Sequence, residues 1–264
     1  MADIQEDDMT QATAYESDDF IRIVKNRGTV PVSQIIARTY VKTYFDTLYE
    51  PIGGGGTGWQ TVTETWTRTG NHTFTIATDL TTKYQKGTKI RYKDGGAFEY
   101  GVIGAATYSA PNTTVTLITN TDYLMAAATI TDTAISYQAM PQGFPGWFNW
   151  DPAPAGFSAV PTLQVYRWTA QGRTITLAYN EGGNGTSSTT AFSATAPIAA
   201  ATITNMAWRA VLGLGTDNSV TLTTPGRAAI TSGSSTINLA KDMASGAWTA
   251  SGGKRAIFTL VYEF

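Results

Sequence analysis

The side chains able to do chemistry are few, and their spacing joins none of them into a reacting set. The chain has no cysteine and one histidine, His72, which excludes a disulfide framework, a thiol nucleophile, an iron–sulfur cluster and a multi-histidine metal site within one chain. His72 is the only base open to a Ser-His-Asp triad, yet Gly70-Asn71-His72-Thr73 reads as a turn entering a strand. Glycoside hydrolysis needs two carboxylates about 5–10 Å apart around the scissile bond. Asp151 beside Trp150, Glu64 near Trp66, and Glu99 are available, and no spacing singles out a pair. Gly53-Gly54-Gly55-Gly56 followed by Thr57-Gly58 lacks the strand, the Lys-Ser/Thr ending and the helix of a phosphate-cradling loop, and reads as a flexible joint. The sequence therefore predicts no catalytic residue, no metal ligand and no cofactor. Contact chemistry remains. Seven tryptophans, Trp59, Trp66, Trp147, Trp150, Trp168, Trp208 and Trp248, either stack on sugars or fill cores. Trp147 and Trp150, with Asn184 in a Gly/Ser loop, are the glycan-contact candidates.

These groups must be held by strands. With 26 glycines, 10 prolines and only 14% charged residues in 264, the chain is Thr-, Ser- and Ala-rich, which is poor helix and good strand composition. Its organising stretch is Pro141 to Phe157, PQGFPGWFNWDPAPAGF. The prolines at 141, 145, 152 and 154 prevent a long helix and disfavour a central strand. Phe144, Trp147, Phe148, Trp150 and Phe157 carry more apolar surface than a free linker exposes, so the stretch (141–157) is expected to be a hinge where two β modules meet at an aromatic seam. The first module, 59–140, is expected to be barrel-like or a sandwich, with strands near 59–68, 72–77, 87–93, 97–104, 113–119 and 133–138. Its clearest hairpin runs Lys89 to Lys93, turns at Asp94-Gly95-Gly96 and returns along Phe98 to Val102, with Ile90 and Tyr92 inward and Lys89, Arg91 and Lys93 outward in solvent. Too few aromatics interleave with these cations to predict nucleic-acid binding. The second module, 158–264, has eight strand-like runs, near 162–169, 173–180, 189–195, 206–212, 219–223, 227–231, 235–240 and 255–264. Eight strands suit a jelly-roll-like sandwich. Glu181 to Ser188 reads as a long loop without hydrophobic anchors.

The N-terminal part is different. The first 20 residues carry seven carboxylates and no lysine or arginine, leaving 13 acidic against 18 basic groups in the rest of the chain. This predicts an extended acidic arm (1–32) that orders on a basic surface of a larger assembly, with Asp7, Asp8, Asp18, Asp19, Phe20 and Ile21 as anchor candidates. Phe20 to Val24 is a short apolar run able to add to a partner's sheet. Ser33 stands as an N-cap before Gln34 to Tyr49, which holds no Gly or Pro, so residues 33–58 are expected to be one short helix and a Gly-rich joint. Ala37, Val41, Tyr44 and Leu48 repeat at spacings of four, three and four, an apolar stripe suited to packing on its own module or to meeting further copies of the chain. No apolar run is long enough to cross a membrane, and the start lacks the basic and apolar regions of a signal peptide, so the expectation is a chain made inside a cell without secretion and without membrane insertion.

Several stretches resemble structural proteins of tailed bacteriophages. Gln85-Lys86-Gly87-Thr88-Lys89-Ile90-Arg91-Tyr92, Phe98-Glu99-Tyr100-Gly101-Val102-Ile103, Thr114-Val115-Thr116-Leu117 and Pro141-Gln142-Gly143-Phe144-Pro145 are similar to a β module of minor structural and tail-associated proteins. Gln171-Gly172-Arg173-Thr174-Ile175-Thr176-Leu177, Gly185-Thr186-Ser187 and Ala194-Thr195-Ala196-Pro197 resemble the jelly-roll-like heads of fibres and spikes. The resemblance covers roughly residues 85–264 and implies a non-enzymatic virion protein assembled in the host cytoplasm. It implies a homotrimer held to other virion proteins by its N-terminal segment, with its C-terminal sandwiches facing outward toward host-surface glycans. The alternatives are a polysaccharide-degrading tailspike-type glycosidase and a cellular carbohydrate-binding module.

Overall fold

The computed structural model describes residues 20–25, 32–37, 57–118, 121–126 and 129–264, the first two segments as backbone only. Among them the chain is all-β, without a helix. It divides into two units, Met1–Gly54 and Gly55–Phe264.

In the first unit, β1 (Phe20–Lys25) and β2 (Val32–Ala37) pair antiparallel, from Phe20 opposite Ala37 to Lys25 opposite Val32. The apolar run is a strand, and its partner is a segment of the same chain. The helix expected from Ser33 does not start there: Val32, Ile35 and Ile36 are β-branched and fit a ladder better than a first helical turn. Ala37 therefore ends a strand rather than opening a helical stripe. Val41, Tyr44, Leu48, Asp7, Asp8, Asp18 and Asp19 lie outside the described residues, and Phe20 and Ile21 open β1.

In the second unit, a seven-stranded antiparallel sheet comes first. Its strands are β3 (Gln60–Thr61), β4 (Thr67–Gly70), β5 (Thr73–Ala77), β6 (Lys89–Asp94), β7 (Ala97–Ser109), β8 (Asn112–Leu117) and β9 (Ile130–Ser136), in the order β3-β9-β6-β7-β8-β5-β4. The run expected over 59–68 is broken into β3 and β4. The 13-residue β7 makes the sheet curl: its first half pairs with β6 and its second with β8, and the register slips between Ile103 and Ala105. A bulge of this kind bends and twists a strand, so the sheet closes partway into a half-barrel around Trp66, Phe74, Tyr84, Ile90, Tyr92, Ile103 and Val115. The expected hairpin is present, with Asp94 opposite Ala97 and the two-residue turn Gly95-Gly96 at φ +76° and +136°, where glycine is strain-free.

Twelve further strands follow: β10 (Phe148–Asn149), β11 (Phe157–Ala159), β12 (Gln164–Gln171), β13 (Thr174–Glu181), β14 (Gly185–Ser187), β15 (Ser193–Thr195), β16 (Ala207–Val211), β17 (Leu214–Asp217), β18 (Val220–Thr221), β19 (Arg227–Thr231), β20 (Thr236–Ala240) and β21 (Gly253–Glu263). One sheet runs β10-β12-β13-β21-β14-β11, with β17 joined to β21 and β18 to β17; the other runs β15-β20-β19-β16. Period-2 alternation drives their packing: Ile175, Leu177 and Tyr179 with Phe258 and Leu260 from one sheet meet Ala228, Ile230, Ile237 and Leu239 from the other in one apolar core. The arrangement is sandwich-like. Four strands were not expected from the sequence: β10, β11, β14 and β17. β14 corrects the reading of 181–188 as an unanchored loop, since it pairs with both β11 and β21.

The Pro141–Phe157 stretch supplies β10 and the first residue of β11, and its rings are packed inside. Trp59 and Phe144 lie 6.1 Å apart, Phe144 and Phe148 5.5 Å, and Phe148 stacks on Trp168 at 4.6 Å. The Trp59 indole also donates to the Gln142 carbonyl at 2.8 Å. Rings from the seven-stranded sheet, the Pro-rich stretch and the sandwich thus belong to one hydrophobic cluster.

Candidate functional site

β10 is a two-residue edge strand, with Phe148 opposite Trp168 and Asn149 opposite Arg167. The Trp150 N–H still bonds the Tyr166 carbonyl at 3.2 Å, Pro152 and Pro154 stop the pairing from extending further, and the chain leaves β12 after Trp150. The gap left beside β12 is a groove of about 420 Å³ lined by Thr121, Asn149, Trp150, Asp151, Gln164, Val165 and Tyr166.

Its floor is aromatic and its rim polar. Trp150 and Tyr166 are buried, edge to face at 6.0 Å, and the Trp150 indole N–H donates to the Thr195 carbonyl at 2.9 Å. Thr121, Asn149, Asp151 and Gln164 are exposed. Their internal bonds use some donors and leave acceptors open. Asn149 gives its backbone N–H and one Nδ2 hydrogen to Asp122 Oδ2, at 3.0 and 3.1 Å, which leaves its side-chain carbonyl and one amide N–H. One Gln164 amide N–H donates to the Pro161 carbonyl at 2.5 Å, which leaves Oε1 and the second N–H. Asp151 accepts the Ala153 N–H on Oδ1 at 2.9 Å and keeps Oδ2. A rim that offers three acceptors and two amide N–H donors over aromatic carbon suits a neutral, hydroxyl-bearing ligand, whose hydroxyls both donate and accept.

Behind the floor lies a buried polar cluster that alternation builds. Two steps beyond Leu177, the core-facing row of β13 reaches Glu181, and the core-facing row of β21 begins at Lys254; both side chains are 0% exposed. Glu181 accepts from the Tyr179 hydroxyl at 2.6 Å and the Tyr166 hydroxyl at 3.5 Å on Oε1, and from the Ala256 N–H at 2.8 Å on Oε2. Burial pushes its carboxyl up to about 7, against the opposing pull of these hydrogen bonds. Tyr166 and Tyr179 are also pushed up, first by burial and then by the Glu181 charge. The Lys254 ammonium donates to the carbonyls of Thr189, Ala191 and Gly156 at 2.7, 3.1 and 3.3 Å, and sits 5.7 Å from the rings of Phe157 and Phe192. Burial lowers its pKa. With both oxygens of Glu181 engaged inside the protein, this acid holds Tyr166 in place and does not reach a ligand in the groove.

The predicted glycan contacts are only partly brought together. Trp150 lines the groove, but as buried floor and not as an exposed platform. Trp147 is 36% exposed on the flank of β10, with the Arg167 guanidinium 5.9 Å from its ring, and is not among the lining residues. Asn184 is exposed between β13 and β14, also outside the groove. Trp59, Trp66, Trp168 and Trp248 are core residues, and Trp208 is partly buried against the same core. Glu64 is tied to Lys83 at 2.5 Å, and Glu99 is half-buried rather than solvent-facing. Among the described residues no three His, Asp or Glu side chains converge as a metal site. Sequence reasoning missed Asn149, Gln164 and Tyr166. The signal for Tyr166 was its place two residues before Trp168 on a strand; Asn149 and Gln164 had none, because the edge that exposes them is set by pairing.

No protein-family model matches the chain, and no curated protein or solved structure is significantly similar to it.

Proposed function

We propose that this chain is a non-enzymatic structural and attachment protein of a bacteriophage particle, a short trimeric spike or decoration whose sandwich binds neutral glycan in the groove beside β10. The observation that carries the binding part is the groove's rim, where Asn149, Asp151 and Gln164 each keep an acceptor over the Trp150 and Tyr166 floor. Sugar hydroxyls donate to such acceptors, and planar amides and carboxylates set their orientation. The virion role is supported by the sequence resemblance over 85–264 and by the acidic N-terminal segment, which is the natural part to be held by a particle.

The test is binding of the full chain to a panel of neutral and acidic oligosaccharides, with mass measurement of the free protein. Neutral glycans are expected to bind, Asp151→Ala with Gln164→Ala to abolish that binding at unchanged melting temperature, and the mass to be three times that of one chain. No glycan bound, or binding indifferent to both substitutions, contradicts the groove assignment. Release of reducing ends from a bound polysaccharide contradicts the non-enzymatic reading.

A further inference from the structure

The face of β6 opposite the half-barrel core was expected to be solvated. It is covered instead. Lys89 is 2% exposed, with its ammonium 5.3 Å from the Phe144 ring. Two residues on, about 7 Å along the strand, the half-buried Arg91 guanidinium lies 5.0 Å from the Trp59 ring and 4.4 Å from Phe98. Trp59, Tyr100 and Phe144 stand 6.0–6.1 Å from one another, so the two cations line one aromatic cluster.

Among the described residues neither cation has an anion. Among the described residues the ion pairs are Lys83 with Glu64, Lys93 with Asp132 and Lys241 with Asp217, and Lys89 and Arg91 take part in none. Arg91 Nε is buried without a hydrogen-bond partner. Of the nearby acids, Asp94 on β6 itself is in phase with Tyr92, and Glu99 stands opposite Tyr92 in the ladder, so both project from the other face, while Tyr100 stands opposite Arg91. Burying a charge without a counter-ion is unfavourable, and cation–π contact offsets only part of it. Covering the rings does not require this arrangement, since an uncharged side chain at 89 would fill the same space without the desolvation. Phe98, 36% exposed, leaves the Arg91 end open to solvent.

We infer that Lys89 and Arg91, framed by Trp59, Phe98, Tyr100 and Phe144, form a binding site for an anionic group, a carboxylate or a phosphate, carried on a ring that stacks at the Phe98 end. The anion supplies the acceptor that Arg91 Nε lacks and the counter-charge that Lys89 lacks. An acidic sugar meets both requirements. The site shares no residue with the neutral-ligand groove and does not depend on it.

The test uses the full chain and three probes on one scaffold, glucuronate, glucose 6-phosphate and glucose, followed by calorimetry and thermal shift at constant ionic strength. Glucuronate, glucose 6-phosphate or both are expected to bind and raise the melting temperature beyond any effect of glucose, and which of them does so identifies the anion. Arg91→Gln is expected to weaken that binding about tenfold or more, with Arg91→Lys intermediate. Lys89→Met is expected to raise the melting temperature of the free protein while removing the response to the anions. Asp151→Ala with Gln164→Ala, which empties the groove, is expected to leave the anion response intact. Anionic probes that act no more strongly than glucose, or a response that survives Arg91→Gln and Lys89→Met, overturn the site and leave the groove assignment standing.

Discussion

At the scale of single residues, the fold places charge where its strand rows dictate, and the consequences are measurable. Glu181 has a carboxyl raised by burial to about 7, above its unfolded value, so its contribution to stability is complete below about pH 4.5 and is lost as pH rises through 7. The span corresponds to roughly 3 kcal/mol. His72, whose pKa burial lowers, acts in the opposite sense below its ordinary range, so the informative quantity is a difference. The melting temperature of the native chain is expected to fall more between pH 5 and pH 8 than that of Glu181→Gln; equal slopes contradict a buried, near-neutral-titrating acid. Lys254 is a knot rather than a reagent, its three N–H groups closing on three carbonyls of the chain that wraps β21. Gly156 is required beside it, because at φ +103° a Cβ runs into the Ala191 carbonyl. Lys254→Met is expected to destabilise by roughly 2–4 kcal/mol in denaturant unfolding, since it removes three charge-assisted hydrogen bonds and leaves the Thr189 and Ala191 carbonyls only long hydroxyl contacts, while Gly156 keeps the Ser188 N–H; a change under 1 kcal/mol contradicts it.

At the scale of elements, the strands carrying clean alternation were legible and the short ones were not. Ile175, Leu177 and Tyr179, and Phe258, Leu260 and Tyr262, predict β13 and β21 within a residue or two because one face is core. The same rows extended by single steps of two lead to Glu181 and Lys254, so the buried cluster was present in the sequence as a phase, hidden because charge at a row's end reads as a strand end. β10, β11 and β14 were illegible for another reason: two or three residues among prolines and glycines have no period, and only a neighbouring strand makes them strands. The second face of β6 was illegible too, because local alternation reports which side chains share a face and not whether another layer covers it. For the Pro-rich stretch the aromatic content was the correct signal. Phe148, buried and stacked on Trp168, links rings from three parts of the unit, and Phe148→Ala is expected to cost about 3–5 kcal/mol in urea or guanidinium unfolding. A loss below 1 kcal/mol contradicts a continuous seam.

At the scale of the whole molecule, the sequence bounded the answer to an all-β chain without thiol or multi-histidine chemistry, and the strands of Gly55–Phe264 form a half-barrel sheet and a sandwich that share one hydrophobic cluster. The functional reading follows from where that body leaves polar atoms without a partner in the protein: exposed acceptors along the groove beside β10, and the buried Arg91 Nε on the covered face of β6. The two proposed sites differ in the ligand they would take, neutral in the groove and anionic on β6, and are separable by substitution, which makes the account easy to refute. The most direct test is a glycan-panel measurement on the full chain and on Asp151→Ala with Gln164→Ala. The account predicts neutral oligosaccharide binding that disappears in the double variant while its melting temperature stays unchanged. Identical glycan profiles for the two proteins, or no glycan bound by either, contradict it.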